Sequence, residues 1–202
     1  MVSGYRGNPS WRDMSDFLVH FTHTKAELKQ IFDDGKVRAQ TAFGAARGIG
    51  SPALRSQHCA CLSEIPLDYL DRLVDRHGSY GIGFRKSWAI ANDATRVWYL
   101  DKDSAVADKV VDWAQAGGPG AWEDDPIYSL TPFIDYVGTF NGVRHEFEWE
   151  REWRVNGDLA FVFPVDVPFI FVPESDIASV SNVLAINPLS DFEVLQQQIA
   201  QL

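Results

Sequence analysis

The run His145 to Val155, HEFEWEREWRV, constrains the fold of this chain more than any other stretch. Glu148, Glu150 and Glu152 fall at alternate positions, with Phe147, Trp149, Arg151 and Trp153 interleaved and Arg154 following. Successive side chains of a β-strand point to opposite faces, so a strand would put the three carboxylates on one face and the aromatics on the other. A helix would leave Glu148 and Glu152 one turn apart and turn Glu150 away. Aromatics suit a pleated surface, and no apolar stripe of helical period runs through the segment, so a strand is expected. A file of three carboxylates repels itself. Either it is a solvated edge balanced by Arg151 and Arg154, or the acids serve a site.

Upstream, FLVHFT (Phe17 to Thr22) reads as a short buried strand. Thr24 follows with Glu27 three positions on, a capping box that starts a helix with Leu28, Ile31 and Phe32 as its apolar face and Gly35 as its stop. KVRAQ resumes an extended path. FGAARGIGSP is a small-residue loop carrying Arg47, without the spacing of a P-loop or of a dinucleotide-binding fingerprint. HCACL (His58 to Leu62) is a second buried strand. Ser63 is expected to cap a helix that tolerates Pro66 in its first turn and runs to Gly78. SYGIGFRK and VWYL read as strands, the first with glycines that permit close approach, and Ala105 to Ala116 as a helix closed by GGPG. Pro126 and Pro132 break up the segment from Trp122 to Gly138.

Beyond the glutamates, Asn156-Gly157 predicts a hairpin turn, LAFVF and PFIFVP two apolar strands, PESDIASV a short helix and VLAIN a last strand. A terminal helix opens with a second capping box, Ser190 to Glu193. Seven to nine strands and about four helices, in neither regular βα alternation nor an all-β series, predict an α+β fold with a mixed or split sheet. Residues 1–16 are expected to form a polar arm, and 17–202 a single compact domain. With 202 residues, 46% of them hydrophobic and seven Trp, the chain can bury a substantial core.

The net charge of −10 argues against a broad grip on nucleic acid, which needs many cations against phosphate, but leaves room for a local basic pocket. No apolar run approaches the ~20 residues of a membrane helix. The N-terminal residues lack a basic region followed by an apolar stretch, and Cys59 and Cys61 alternate on one strand, where a disulfide is rare. A cytoplasmic protein with free thiols is expected. His58, Cys59, Cys61 and Glu64 form one tight cluster, whereas zinc sites usually draw on two separated pairs of ligands, so no metal is expected. No serine stands in a G-x-S-x-G elbow.

In order along the chain, FLVHFT, SYGIGF and EREWR resemble the three-part signature of ADP-ribosyltransferase-like folds. The resemblance implies NAD as substrate. It implies that His20, with Thr22, binds the nicotinamide-side ribose, that Tyr80 frames the nicotinamide, and that Glu152 and Glu150 act as an E-x-E pair. Arg47 or Arg38 would then meet the pyrophosphate. The chemistry is coherent: cleavage of the nicotinamide–ribose bond passes through an oxocarbenium-like centre that a carboxylate stabilises. The wider pattern of HFT, a helix ending in Gly, CLSEIPL, YGIGF and EREWRV, over roughly residues 17–160, is similar to AbiGi-type abortive-infection antitoxins and to a bacterial group marked by E-x-E-W-R. That second resemblance implies a non-catalytic alternative, an acidic module that neutralises a basic toxin or other protein partner.

Overall fold

The computed structural model describes residues 15–48, 56–64, 69–116 and 125–202. Most of the expected arm, Pro66, the end of the Gly/Ala loop, the GGPG closure and Trp122 lie outside them. The first strand, β1 (Phe17–Thr22), leads into α1 (Lys25–Asp34). Thr24 accepts the Glu27 backbone N–H and Glu27 accepts the Thr24 backbone N–H, so the capping box forms as expected. Gly35 closes the helix in the left-handed conformation, with φ 62°.

Short strands β2 (Lys36–Val37) and β3 (Thr41–Ala42) precede β4 (His58–Ser63). Then come α2 (Leu70–His77), β5 (Tyr80–Arg85), α3 (Lys86–Ala91), β6 (Thr95–Arg96) and β7 (Trp98–Asp101). After α4 (Ala105–Ala116) and α5 (Ile127–Leu130), the chain forms the β8–β9 hairpin (Ile134–Phe140 and Val143–His145). The remainder is β10 (Glu152–Asn156), β11 (Leu159–Ala160), β12 (Phe169–Phe171), α6 (Glu174–Ile177), β13 (Leu184–Ile186) and α7 (Phe192–Ile199).

The main sheet runs β13-β12-β5-β1-β4-β10-β6, with β3 added alongside β4. Its pairs are antiparallel except β12 with β13. β1 and β5 pair along their whole length, from Phe17 opposite Arg85 to Thr22 opposite Tyr80. β1 and β4 meet in register only at Val19 and Ser63, so the sheet opens between them. The fold is α+β with its strands divided among several sheets, as the element pattern predicts, but the described residues hold thirteen strands and seven α-helices where seven to nine and about four are expected, because several elements are only two to four residues long.

Alternation distributes the core to both faces. Leu18, Leu62, Ile82, Phe84, Trp153 and Ile170 pack on one face with Leu28 of α1. Phe17, Val19, Phe169 and Phe171 pack on the other with Leu70 and Leu73 of α2 and Leu195 of α7. Each such side chain contributes about 1.5–3 kcal/mol by leaving water. The SYGIGF glycines have the expected use at Gly83, where a Cβ would lie 2.4 Å from the Phe169 ring. A separate sheet, β7-β8-β9, stands beside the main one.

Four local expectations are corrected. The glutamate segment is not one strand: Glu148–Glu150 is a 3-10 turn, Arg151 takes a left-handed φ of 46°, and extended backbone begins at Glu152. Asn156-Gly157 does not close a hairpin, because β10 pairs with β4 and β6 while β11 pairs with β2. Ser63 ends β4 instead of capping a helix, and α7 starts from Asp191 without a side-chain cap. At Ser63 and at Asn156-Gly157, strand pairing overrides the local cap or turn signal.

Candidate functional site

The turn and strand that replace the continuous glutamate file bring Glu150 and Glu152 to the wall of one cavity of about 580 Å³. It lies between the main sheet and the small one, and its lining also includes His20, Arg47, His77, Tyr99, Asp135 and Arg154. This volume falls within the usual range of small-molecule sites.

Arg154 organises the floor. Its side chain is almost fully buried, and it projects from β10 on the face opposite Trp153 and Val155. Its Nε donates to Glu152 at 2.9 Å, and one terminal nitrogen donates to Glu152 at 2.9 Å and to Asp135 at 2.8 Å. The other donates to the Pro132 carbonyl at 2.7 Å. Burial alone would lower the guanidinium pKa, but the hydrogen bonds and charge of Glu152 and the charge of Asp135 outweigh it and hold it raised. The reading of the glutamates as a solvated edge balanced by Arg151 and Arg154 is corrected: Arg154 pairs with Glu152 in the interior, and Glu150 is buried. Tyr99 donates its hydroxyl to Glu152 at 3.0 Å, and burial followed by the Glu152 charge raises its pKa.

Glu150 is held apart from this group. One of its oxygens faces His77 Nε2 at 3.1 Å and the other meets Arg76 at 2.9 Å as an ion pair. Arg76 also stacks on Phe147, 4.6 Å from the ring centroid. His20 bridges the opening in the sheet, its Nδ1 lying 2.8 Å from the Cys61 carbonyl. Nδ1–H is therefore the donor, and Nε2 remains as an acceptor. Burial lowers the His20 pKa, with the Cys61 hydrogen bond opposing and His77 adding to the lowering. Burial also pushes the Cys61 thiol well above its ordinary value and Cys59 up to about 11, so both are neutral thiols and poor nucleophiles at neutral pH. Among the described residues, no group of three or more His, Cys, Asp or Glu side chains is arranged to hold a metal ion.

The sequence-predicted residues divide. His20, Arg47, Glu150 and Glu152 line the cavity. Tyr80, Thr22 and Arg38 do not. Tyr80 donates to Asp176 at 2.7 Å, tying β5 to α6. Thr22 bonds the Thr24 carbonyl at the entry to α1, and Arg38 pairs with Asp34 on the surface. The reason for Tyr80 is register: β5 lies beyond β1 from the opening, two strands away from β4. Sequence reasoning missed Arg76, His77, Tyr99 and Asp135. Only Tyr99, within the predicted VWYL strand, carried any signal, since the others stand in a helix and in a proline-broken segment.

Comparison with known proteins agrees with part of the sequence reading. A family model described as "Putative abortive phage resistance protein AbiGi, antitoxin" matches residues 38–184, well over half of the chain. The match contains Arg47, Glu150 and Glu152 and begins after β1, so His20 lies outside it. No curated protein and no solved structure matches the chain. No helix among the described residues is long and apolar enough to cross a membrane. On the strength of the family match, the chain belongs to the AbiGi antitoxin family.

Proposed function

We propose that this protein is the antitoxin component of an abortive-infection system and acts by binding a protein toxin, without catalysis. The family match over residues 38–184 carries the reading. The site chemistry supports it. Glu152 spends both oxygens on Arg154 and Tyr99, and Glu150 is committed to Arg76 and His77, so each carboxylate has resident partners. A net charge of −10 suits the masking of a basic partner. The test is co-expression with the protein encoded beside it. Relief of that protein's growth arrest, with co-purification of a stoichiometric complex, is expected. Arrest that persists despite abundant folded antitoxin would sink the reading.

A second reading, NAD-dependent ADP-ribosyl transfer, is favoured by one observation: His20, Arg47, Glu150 and Glu152 line a single cavity. On this reading Glu152 stabilises the oxocarbenium-like centre, Glu150 serves the acceptor side, and the His20 Nε2 accepts a ribose hydroxyl. Tyr99, beside Glu152, takes the aromatic place proposed for Tyr80. Calorimetry with NAD and a nicotinamide-release assay test it. Turnover should fall about a hundredfold to a thousandfold in Glu152→Gln with little change in NAD affinity. Absence of nicotinamide release from the folded wild type rules the reading out.

A further inference from the structure

The cavity wall differs in charge from the rest of the molecule. In a chain of net charge −10, it carries three arginines against three carboxylates. The pairing is uneven in depth. Asp135 and Glu150 are nearly buried, whereas the Arg47 and Arg76 side chains that meet them are 51% and 42% exposed. A guanidinium has five N–H donors in a fixed fork, so an arginine holding one carboxylate oxygen can still donate to a second anion. Arg47 reaches Asp135 through one nitrogen, at 3.2–3.3 Å, and Asp135 keeps its stronger bond to Arg154 at 2.8 Å.

Much of the rest of the lining is aromatic, including Phe147, on which the Arg76 guanidinium is stacked. Such a stack can extend to a further flat ring. Two buried polar atoms of the wall residues make no hydrogen bond: Glu150 Oε1, which meets Arg76 only as an ion pair, and the Tyr136 hydroxyl, which has no partner of any kind. An unpaired hydroxyl in a cavity lining is costly unless something entering the cavity pairs with it.

From the half-exposed arginines, the aromatic wall and the orphan hydroxyl together, we infer that the cavity is a binding site for a phosphate-bearing nucleotide. Arg47 and Arg76 hold the phosphates, the base lies along the Phe147 wall, and Tyr136 bonds a polar edge of the ligand. The inference needs the cavity, but neither the antitoxin reading nor cleavage of NAD.

Calorimetry of the full chain with ADP, adenosine and inorganic pyrophosphate tests it. ADP should bind, and adenosine should bind roughly tenfold or more weakly for want of the charged hydrogen bonds. Arg47→Ala and Tyr136→Phe should each weaken ADP roughly tenfold while melting as the wild type does, since Arg154 still serves Asp135. Arg76→Lys, which keeps the charge opposite Glu150 but loses the planar fork, should weaken it as well. Absence of ADP binding overturns the proposal. Binding that is indifferent to all three substitutions also overturns it, as does pyrophosphate binding as tightly as ADP, which marks an anion site only. ADP binding without nicotinamide release from NAD leaves this inference standing and removes the transferase reading. Failure to neutralise a toxin bears on neither.

Discussion

His20 occupies the opening between β1 and β4, where backbone pairing stops after Val19 and Ser63. Its imidazole takes the role of a missing ladder bond by donating to the Cys61 carbonyl. Because burial, opposed by that bond, leaves its pKa lowered, the folded protein keeps it neutral where the unfolded chain, near 6.5, accepts a proton. The stabilisation is therefore complete above ~6.5 and is lost as the pH falls from there toward the lower folded value. Urea unfolding between pH ~7.5 and ~5 should show stability declining by at most about 1.4 kcal/mol per pH unit from this residue. His20→Gln should flatten that part of the profile, and an unchanged slope would assign the proton to another group. Glu152 shows the same dependence on context. As one of three carboxylates in a row it is a source of repulsion, but in the fold it is the principal partner of a buried arginine.

Among the elements, α1 is the best determined by its own residues. Its capping box and left-handed glycine satisfy backbone groups at both ends without help from the rest of the fold. Thr24→Ala should lower stability by about 1 kcal/mol in chemical denaturation, and an unmoved midpoint would mean that the cap contributes nothing. β5 depends on its neighbours instead. Gly83 lies opposite Val19 on one side and Phe169 on the other, and its missing side chain is the space the Phe169 ring occupies. Gly83→Ala should cost roughly 1–3 kcal/mol through overpacking, visible as a lower melting temperature. A neutral result would show that the ring can move aside. β10 shows both kinds of determination: the alternation of Glu152, Trp153, Arg154 and Val155 assigns its faces, but its start is set by the left-handed Arg151.

The molecule as a whole joins a split main sheet to a smaller sheet around Arg154 and its partner Glu152. Arg154 rises from β10 and bonds Asp135 of β8 and the Pro132 carbonyl, and Tyr99 of β7 returns a bond to Glu152. The cavity exists because these two sheets are held apart and bridged at its floor. At this scale the net charge of −10 matters for association. If the partner is a basic toxin, their association rate should fall by about tenfold or more between ~0.05 M and ~0.5 M salt, measured by stopped-flow mixing. A rate that ignores salt would place the recognition on apolar contacts instead.

What the sequence by itself determined is what short-range chemistry can encode. The α1 caps, the strand character of FLVHFT and YGIGF, the start of α4 and the inward direction of Trp153 follow from periodicity and from backbone groups satisfied within a few residues. The grouping of His20 with Glu150 and Glu152 was legible too, through the order of the motifs. Tertiary structure alone decided where the strand register put the rest. It sent Tyr80 to Asp176 and away from the cavity, and brought Arg76, His77, Tyr99 and Asp135 into it from three separate elements, α2, β7 and β8. It also converted the expected Asn156-Gly157 hairpin into a crossing from one sheet to another. The reason is physical: a turn or a cap is paid for locally, whereas a buried charge such as Arg154 is stable only where distant chain segments converge to satisfy every donor.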